Sequence, residues 1–81
     1  MKTVSDAVVD RICEFIEKQN LTQYALAMRS GLPFPTVKSI MQRRTKNITL
    51  KTVILLSKGL GVKPSEFIND DDFLADNIKN D

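Results

Sequence analysis

Apolar residues recur along this chain at helical spacing, and nowhere do they alternate for long enough to make a strand. Val8, Ile12, Phe15 and Ile16 share one face of a segment running from about Val4 to Gln19, which predicts a first helix. Asp6, Asp10, Glu14 and Glu17 fall on the opposite side, where they are expected to face water. Glu14 stands four residues before Lys18, a favourable pairing on a helix surface. Cys13 lies beside the apolar face and reads as a structural thiol, because the chain has no histidine and no cation cluster beside it.

Three later segments share one grammar: an apolar residue, a cap, then an apolar residue five positions after the first. The pairs are Leu21 with Leu26, Ile48 with Val53, and Val62 with Phe67. Each matches the hydrophobic staple, in which the residue before the cap packs on the fourth helical residue. Thr22 and Thr49 have the hydroxyl that a first-turn N–H needs. Lys63 is a poor cap, but Pro64 suits a first helical position because its missing N–H costs nothing there. Helices are therefore predicted at about 23–30, 50–60 and 64–68, with Gly61 placed to end the second of these.

Between them, residues 33–42 read Pro-Phe-Pro-Thr-Val-Lys-Ser-Ile-Met-Gln. Prolines are tolerated in a first helical turn and not in an interior. Val37, Ile40 and Met41 then make a core stripe, and Phe34, Lys38, Ser39 and Gln42 occupy the other side. A basic connector follows, Arg43-Arg44-Thr45-Lys46-Asn47.

Charge changes the picture because of where it falls. Residues 21 to 65 carry Arg29, Lys38, Arg43, Arg44, Lys46, Lys51, Lys58 and Lys63 with no acid among them, whereas Glu66, Asp70, Asp71, Asp72, Asp76 and Asp81 crowd the end. A surface for a polyanion needs such an acid-free basic stretch, since each carboxylate would repel phosphate. Composition alone leaves that open against a merely solvated cationic surface. The 81 residues, 42% of them hydrophobic, are enough for one domain with one core. Apolar runs such as Val53-Ile54-Leu55-Leu56 are too short to span a bilayer, and Asp6 and Asp10 interrupt any signal-peptide core. With a lone cysteine and no disulfide framework, a cytoplasmic location is expected.

The run Thr22-Gln23-Tyr24-Ala25-Leu26-Ala27-Met28-Arg29-Ser30-Gly31-Leu32-Pro33-Phe34-Pro35-Thr36-Val37-Lys38-Ser39-Ile40 resembles the helix-turn-helix of phage repressors and Cro proteins, the Cro/cI-type or Xre-like family. Asn47 to Phe67 looks like the remaining two helices, so the resemblance covers about residues 4 to 68. It implies an all-α, five-helix, lambda-repressor-like DNA-binding domain over residues 1–68, with the motif at about 22–42 and a short acidic C-terminal tail at 69–81. Ala27 is then expected where two helices cross closely, and Gly31 in the turn, where positive φ is cheap for glycine.

In function the resemblance implies a transcriptional regulator of bacterial or prophage type, a repressor sooner than an activator. It would bind double-stranded DNA sequence-specifically through the helix at about 34–42 in the major groove. Carried over by position, Phe34, Pro35, Lys38 and Ser39 face the bases. Phe34 has a competing role as core against the second helix. Gln23, Thr36, Gln42, Arg43, Arg44, Lys46 and Asn47 are expected to hold the DNA backbone. The chain departs from the family where Ala25 stands for a frequent Glu, Phe34-Pro35 for a polar pair, Gln42-Arg43 for Asn-Gly, and Pro33 for a hydroxyl cap. Those departures shift part of the expected selectivity to DNA shape.

A homodimer on DNA is expected, because one small domain reads too few base pairs to find a site. The connection between the last two helices and the tail residues Phe73, Leu74 and Ile78 are the surfaces free to pair. The alternative is an antitoxin or interaction module of the same fold whose main partner is a protein, a toxin for instance. An enzyme is not expected. Asp70-Asp71-Asp72 reads as a solvated acidic run, not a metal site, and no nucleophile sits beside a base. No catalytic residue, metal, cofactor, membrane or small-molecule ligand is called for.

Overall fold

The computed structural model describes residues 1–79. The chain forms α1 (Val4–Gln19), α2 (Gln23–Ser30), α3 (Phe34–Met41), α4 (Leu50–Leu60) and α5 (Pro64–Phe67), then two 3-10 turns at Asp71–Phe73 and Ala75–Asn77. No strand forms among the described residues, so the all-α, five-helix organisation expected from the spacing is the one observed. No helix among them is long and apolar enough to cross a membrane.

The helix starts follow from their caps. Thr22 Oγ1 accepts from the Ala25 N–H at 3.0 Å and Thr49 Oγ1 from the Thr52 N–H at 3.2 Å, satisfying first-turn donors that have no partner inside the helix. Thr3 does the same for α1 through the Asp6 N–H at 3.1 Å. Pro33 and Lys63 precede α3 and α5 without a side-chain cap, each with a proline in the first turn that follows. At the other end, Gly31 and Gly61 take φ of 73° and 72°.

Val8, Ile12 and Phe15 of α1, Leu26 and Ala27 of α2, Val37 and Ile40 of α3, Leu56 and Leu60 of α4 and Phe67 of α5 are buried in one core. Both members of each staple pair lie in that core or against it. Ala27 is buried in the core, where a small side chain is expected. A second close approach is at Gly59 of α4, where an added Cβ would sit 2.1 Å from Ser30 Oγ and 3.1 Å from the Leu26 carbonyl oxygen of α2. A glycine inside α4 lets two backbones approach, and α2 and α4 pack on each other there.

The tail closes back on α1. Phe73 is half-buried, with its ring 6.1 Å from that of Phe67, which in turn stacks on Phe15 at 6.1 Å. Lys2 and Ile78 form an isolated parallel bridge, with the Lys79 N–H donating to the Lys2 carbonyl at 2.7 Å. Arg11 joins α1 to the end of α5, donating to the Phe67 carbonyl at 2.7 Å and the Glu66 carbonyl at 2.8 Å. After residue 68 the chain thus touches the helical body again at Phe73, Ile78 and Lys79. Of the three apolar tail residues expected to be free for pairing, only Leu74 is largely exposed. Asn80 and Asp81, also assigned to the tail, lie outside the described residues.

Two expectations about α1 change. Glu14 pairs with Arg11 at 2.8 Å, three residues earlier, and not with Lys18. The stripe expected to face water is instead partly neutralised, since Asp6 and Asp10 both meet Arg43 and Asp10 also meets Lys2.

Candidate nucleic-acid interface

α3 is short because its start is fixed by Pro33 and Pro35 and its end by a residue at positive φ, Arg43. Val37 and Ile40 anchor it to the core, which leaves Phe34, Pro35, Thr36, Lys38 and Gln42 exposed and Ser39 half-buried. Pro35, Lys38, Ser39, Gln42 and Arg44 line one shallow surface depression. Three of the four residues expected to face bases thus share a patch with two of those expected to hold the backbone.

Phe34, the first residue of α3, does not line that depression. Its ring meets Tyr24 of α2 edge-on, with centroids 5.5 Å apart, in the arrangement aromatic quadrupoles favour. Phe34 remains 38% exposed and Tyr24 59% exposed, so the pair is neither core nor isolated. Phe34 therefore leans on α2 through Tyr24 without entering the core. Spacing alone does not mark Tyr24, because at that position in an amphipathic helix it looks like an ordinary surface residue. Gln23 opens α2 and is half-buried, and Thr36 lies in the first turn of α3.

The connector divides. Arg44 stays with the α3 patch. Lys46 and Asn47 line a separate groove with Val4, Ile48, Ala75 and Ile78, beside the start of α1 and the tail. Arg43 turns to α1: its Nη1 lies 2.5 Å from Asp6 Oδ1 and its Nη2 2.9 Å from Asp10 Oδ1. These contacts hold both carboxyl groups below the usual carboxylate range, through Arg43 and then Thr3 for Asp6, and through Lys2 and then Arg43 for Asp10. The same hydrogen bonds push Arg43 upward. Of the cations between residues 21 and 65, only Arg43 makes an ion pair among the described residues. The expected acid-free middle is thus acid-free along the chain but not in space, where Asp6 and Asp10 in the first half of α1 reach it at Arg43.

Other titratable groups take structural places. Burial first, then the charges of Asp10 and Glu17, pushes the Cys13 thiol up, away from the reactive thiolate. The three adjacent acids do not converge. Asp72 binds Lys2 at 2.6 Å, Asp70 caps the first 3-10 turn and lies 3.9 Å from Arg11, and Asp71 makes neither contact.

A family model described as helix-turn-helix matches residues 12–67. No curated protein and no solved structure matches the chain.

Proposed function

The chain belongs to this helix-turn-helix family, a family of DNA-binding domains, and from that premise we propose that it is a sequence-specific transcriptional repressor that reads the major groove with α3. One observation carries the reading: the exposed side of α3 gathers Pro35, Lys38, Ser39, Gln42 and Arg44 into one patch in which no cation is paired with an acid. Lys38 donates to guanine O6 or N7, Ser39 to a neighbouring base edge, and Phe34 and Pro35 offer apolar contact to thymine methyl groups. Gln23, Thr36, Gln42, Arg44, Lys46 and Asn47 hold the phosphates. Arg43, engaged by α1, is left out of that set.

The protein acts on DNA as a homodimer, because one such helix reads too little sequence to select a genomic site. Leu50 and Ile54 of α4, Ile68 after α5 and Leu74 in the tail are the large apolar side chains left exposed beyond the α2–α3 face and the start of the chain, and they supply the pairing surface. Selection of bound duplexes from a random pool tests the whole proposal. A palindromic consensus is expected, with half-sites about one helical turn apart. Lys38→Ala should then relax one base position at a cost of about 1–3 kcal/mol. Arg44→Ala with Lys46→Ala should weaken all sequences alike and lower the salt slope by roughly two units. No enrichment over the starting pool would overturn sequence-specific binding.

A further inference from the structure

Four helix ends in this fold close in the same way. After α1, α2, α3 and α4 one residue takes positive φ: Asn20 at 53°, Gly31 at 73°, Arg43 at 60° and Gly61 at 72°. At each end the same two backbone bonds return to the helix. For α3 they run from the Arg43 N–H to the Ile40 carbonyl at 2.9 Å and from the Arg44 N–H to the Ser39 carbonyl at 3.0 Å. For α4 they run from Gly61 to Lys58 at 3.1 Å and from Val62 to Ser57 at 3.0 Å, and α1 and α2 repeat the pattern at Asn20–Leu21 and Gly31–Leu32. This is the Schellman closure, which favours glycine, or failing that asparagine, at the left-handed residue and an apolar residue after it.

Three of the ends meet both preferences. Leu21, Leu32 and Val62 follow the left-handed residue and pack against the core. The end of α3 meets neither, since the left-handed residue is an arginine and the next is Arg44, which is exposed. It is also the one end whose left-handed residue is gripped from outside, by Asp6 and Asp10 one turn apart on α1.

We propose that Asp6 and Asp10 act through Arg43 as positioning residues for DNA binding. Their grip replaces the missing glycine and the missing apolar anchor, fixing the end of the recognition helix and the place where Arg44 starts. Arg43 is then a strut between α1 and α3, and not a phosphate contact. The inference rests on α3 being the helix that meets DNA, but its structural half is testable without DNA.

The experiment compares the parent, Asp6→Asn/Asp10→Asn, and the same double variant carrying Arg43→Gly. Amide hydrogen exchange is read without DNA, and affinity against salt is read on a duplex obtained by selection. Loss of the grip should speed exchange at Arg43 and Arg44 and weaken DNA binding, each roughly tenfold, with the salt slope changed by less than about half a unit. Glycine takes positive φ freely, so Arg43→Gly in the double variant should restore both protection and affinity. A merely stabilising ion pair would not be rescued by deleting its arginine. The inference is overturned if the double variant binds more tightly with a slope steeper by about 0.9, because Arg43 would then be a phosphate contact held back by α1. It is equally overturned if glycine restores no protection. Should the parent itself bind no duplex, the DNA-binding proposal fails, while the exchange data still decide the strut.

Discussion

Gly59→Ala adds one methyl group where α4 crosses α2, and two known effects then compete. Alanine favours a helix interior over glycine by about 0.8–1.0 kcal/mol. Against that, the new Cβ would lie 2.1 Å from Ser30 Oγ, 3.0 Å from Leu26 Cδ1 and 3.1 Å from the Leu26 carbonyl oxygen. The first distance is no contact at all, and Ser30 is fully buried, so its hydroxyl has little room to turn away. The Leu26 oxygen is backbone and moves only if α2 moves. Overpacking costs about 1–3 kcal/mol, and against a fully buried hydroxyl and a backbone oxygen the upper part of that range, about 2–3 kcal/mol, applies; less the propensity gain, the net loss is about 1–2 kcal/mol. In a domain of this size each kcal/mol lowers Tm by about 4–8 °C.

Ser30→Ala separates the terms. Ser30 Oγ is buried with no hydrogen-bond partner, so its removal should itself stabilise the fold by about 1 kcal/mol. With the hydroxyl gone, only the two Leu26 contacts oppose the new methyl group. The cost of Gly59→Ala should then fall to within about 0.5 kcal/mol of zero, a coupling of about 1–2 kcal/mol. Urea denaturation of the four proteins at one concentration and pH reads this directly from the midpoints at constant m. A Gly59→Ala protein as stable as its parent, or the same penalty in both backgrounds, would refute the close crossing.

Phe73→Ala should destabilise the domain by about 2 kcal/mol in the same assay, because its half-buried ring lies on Phe67; parental stability would mean that the tail does not pack. The carboxyl groups of Asp6 and Asp10, followed by NMR, should titrate below 3.8 and rise toward it in Arg43→Ala. Because both are depressed in the folded state, their contribution is complete above pH 3.8 and is lost as pH falls through the lower folded values; unshifted midpoints would remove the ion pairs from solution. Cys13 should react with iodoacetamide at pH 8 more slowly in the folded protein than in urea, since burial raises its pKa, and equal rates would contradict that burial.

The helices were legible because the signals that make them are local. A threonine cap, a staple residue on either side of it, a proline in the first turn and a glycine past the last all act within about six residues, and all fall where the chain shows them. Gly59 was not legible. From sequence a glycine inside α4 is only a propensity cost, and its reason is Leu26 and Ser30 on another helix. The pairing of Arg43 was hidden for the same cause: its neighbours in sequence are basic, whereas its partners lie 37 and 33 positions earlier. The α3 residues could be named because their side of the helix is what the core stripe of Val37 and Ile40 leaves over. Which of them meets a base does not follow from periodicity, since that depends on how α3 is presented, and presentation is set by contacts from α1 and α2.

The distribution of charge shows why those distant contacts matter. Along the chain the acids sit at both ends and the cations in the middle. Folding brings the two acidic ends together on one side, where α1 and the tail pack, and every ion pair among the described residues is drawn there, between Lys2, Arg11 or Arg43 and an acid of α1 or the tail. The acidic tail therefore spends Asp70 and Asp72 on the protein's own cations, which weakens any competition with phosphate. Arg29, Lys38, Arg44, Lys46, Lys51, Lys58 and Lys63 make no ion pair among the described residues. Only cations in that condition gain by replacing condensed counterions on a polyanion, because one already paired must first give up its partner. Arg43 is the one cation of the middle that has been paired, and it sits where the backbone needs a glycine it does not have. In the strut we propose, its charge fixes the end of α3 and is not offered to phosphate.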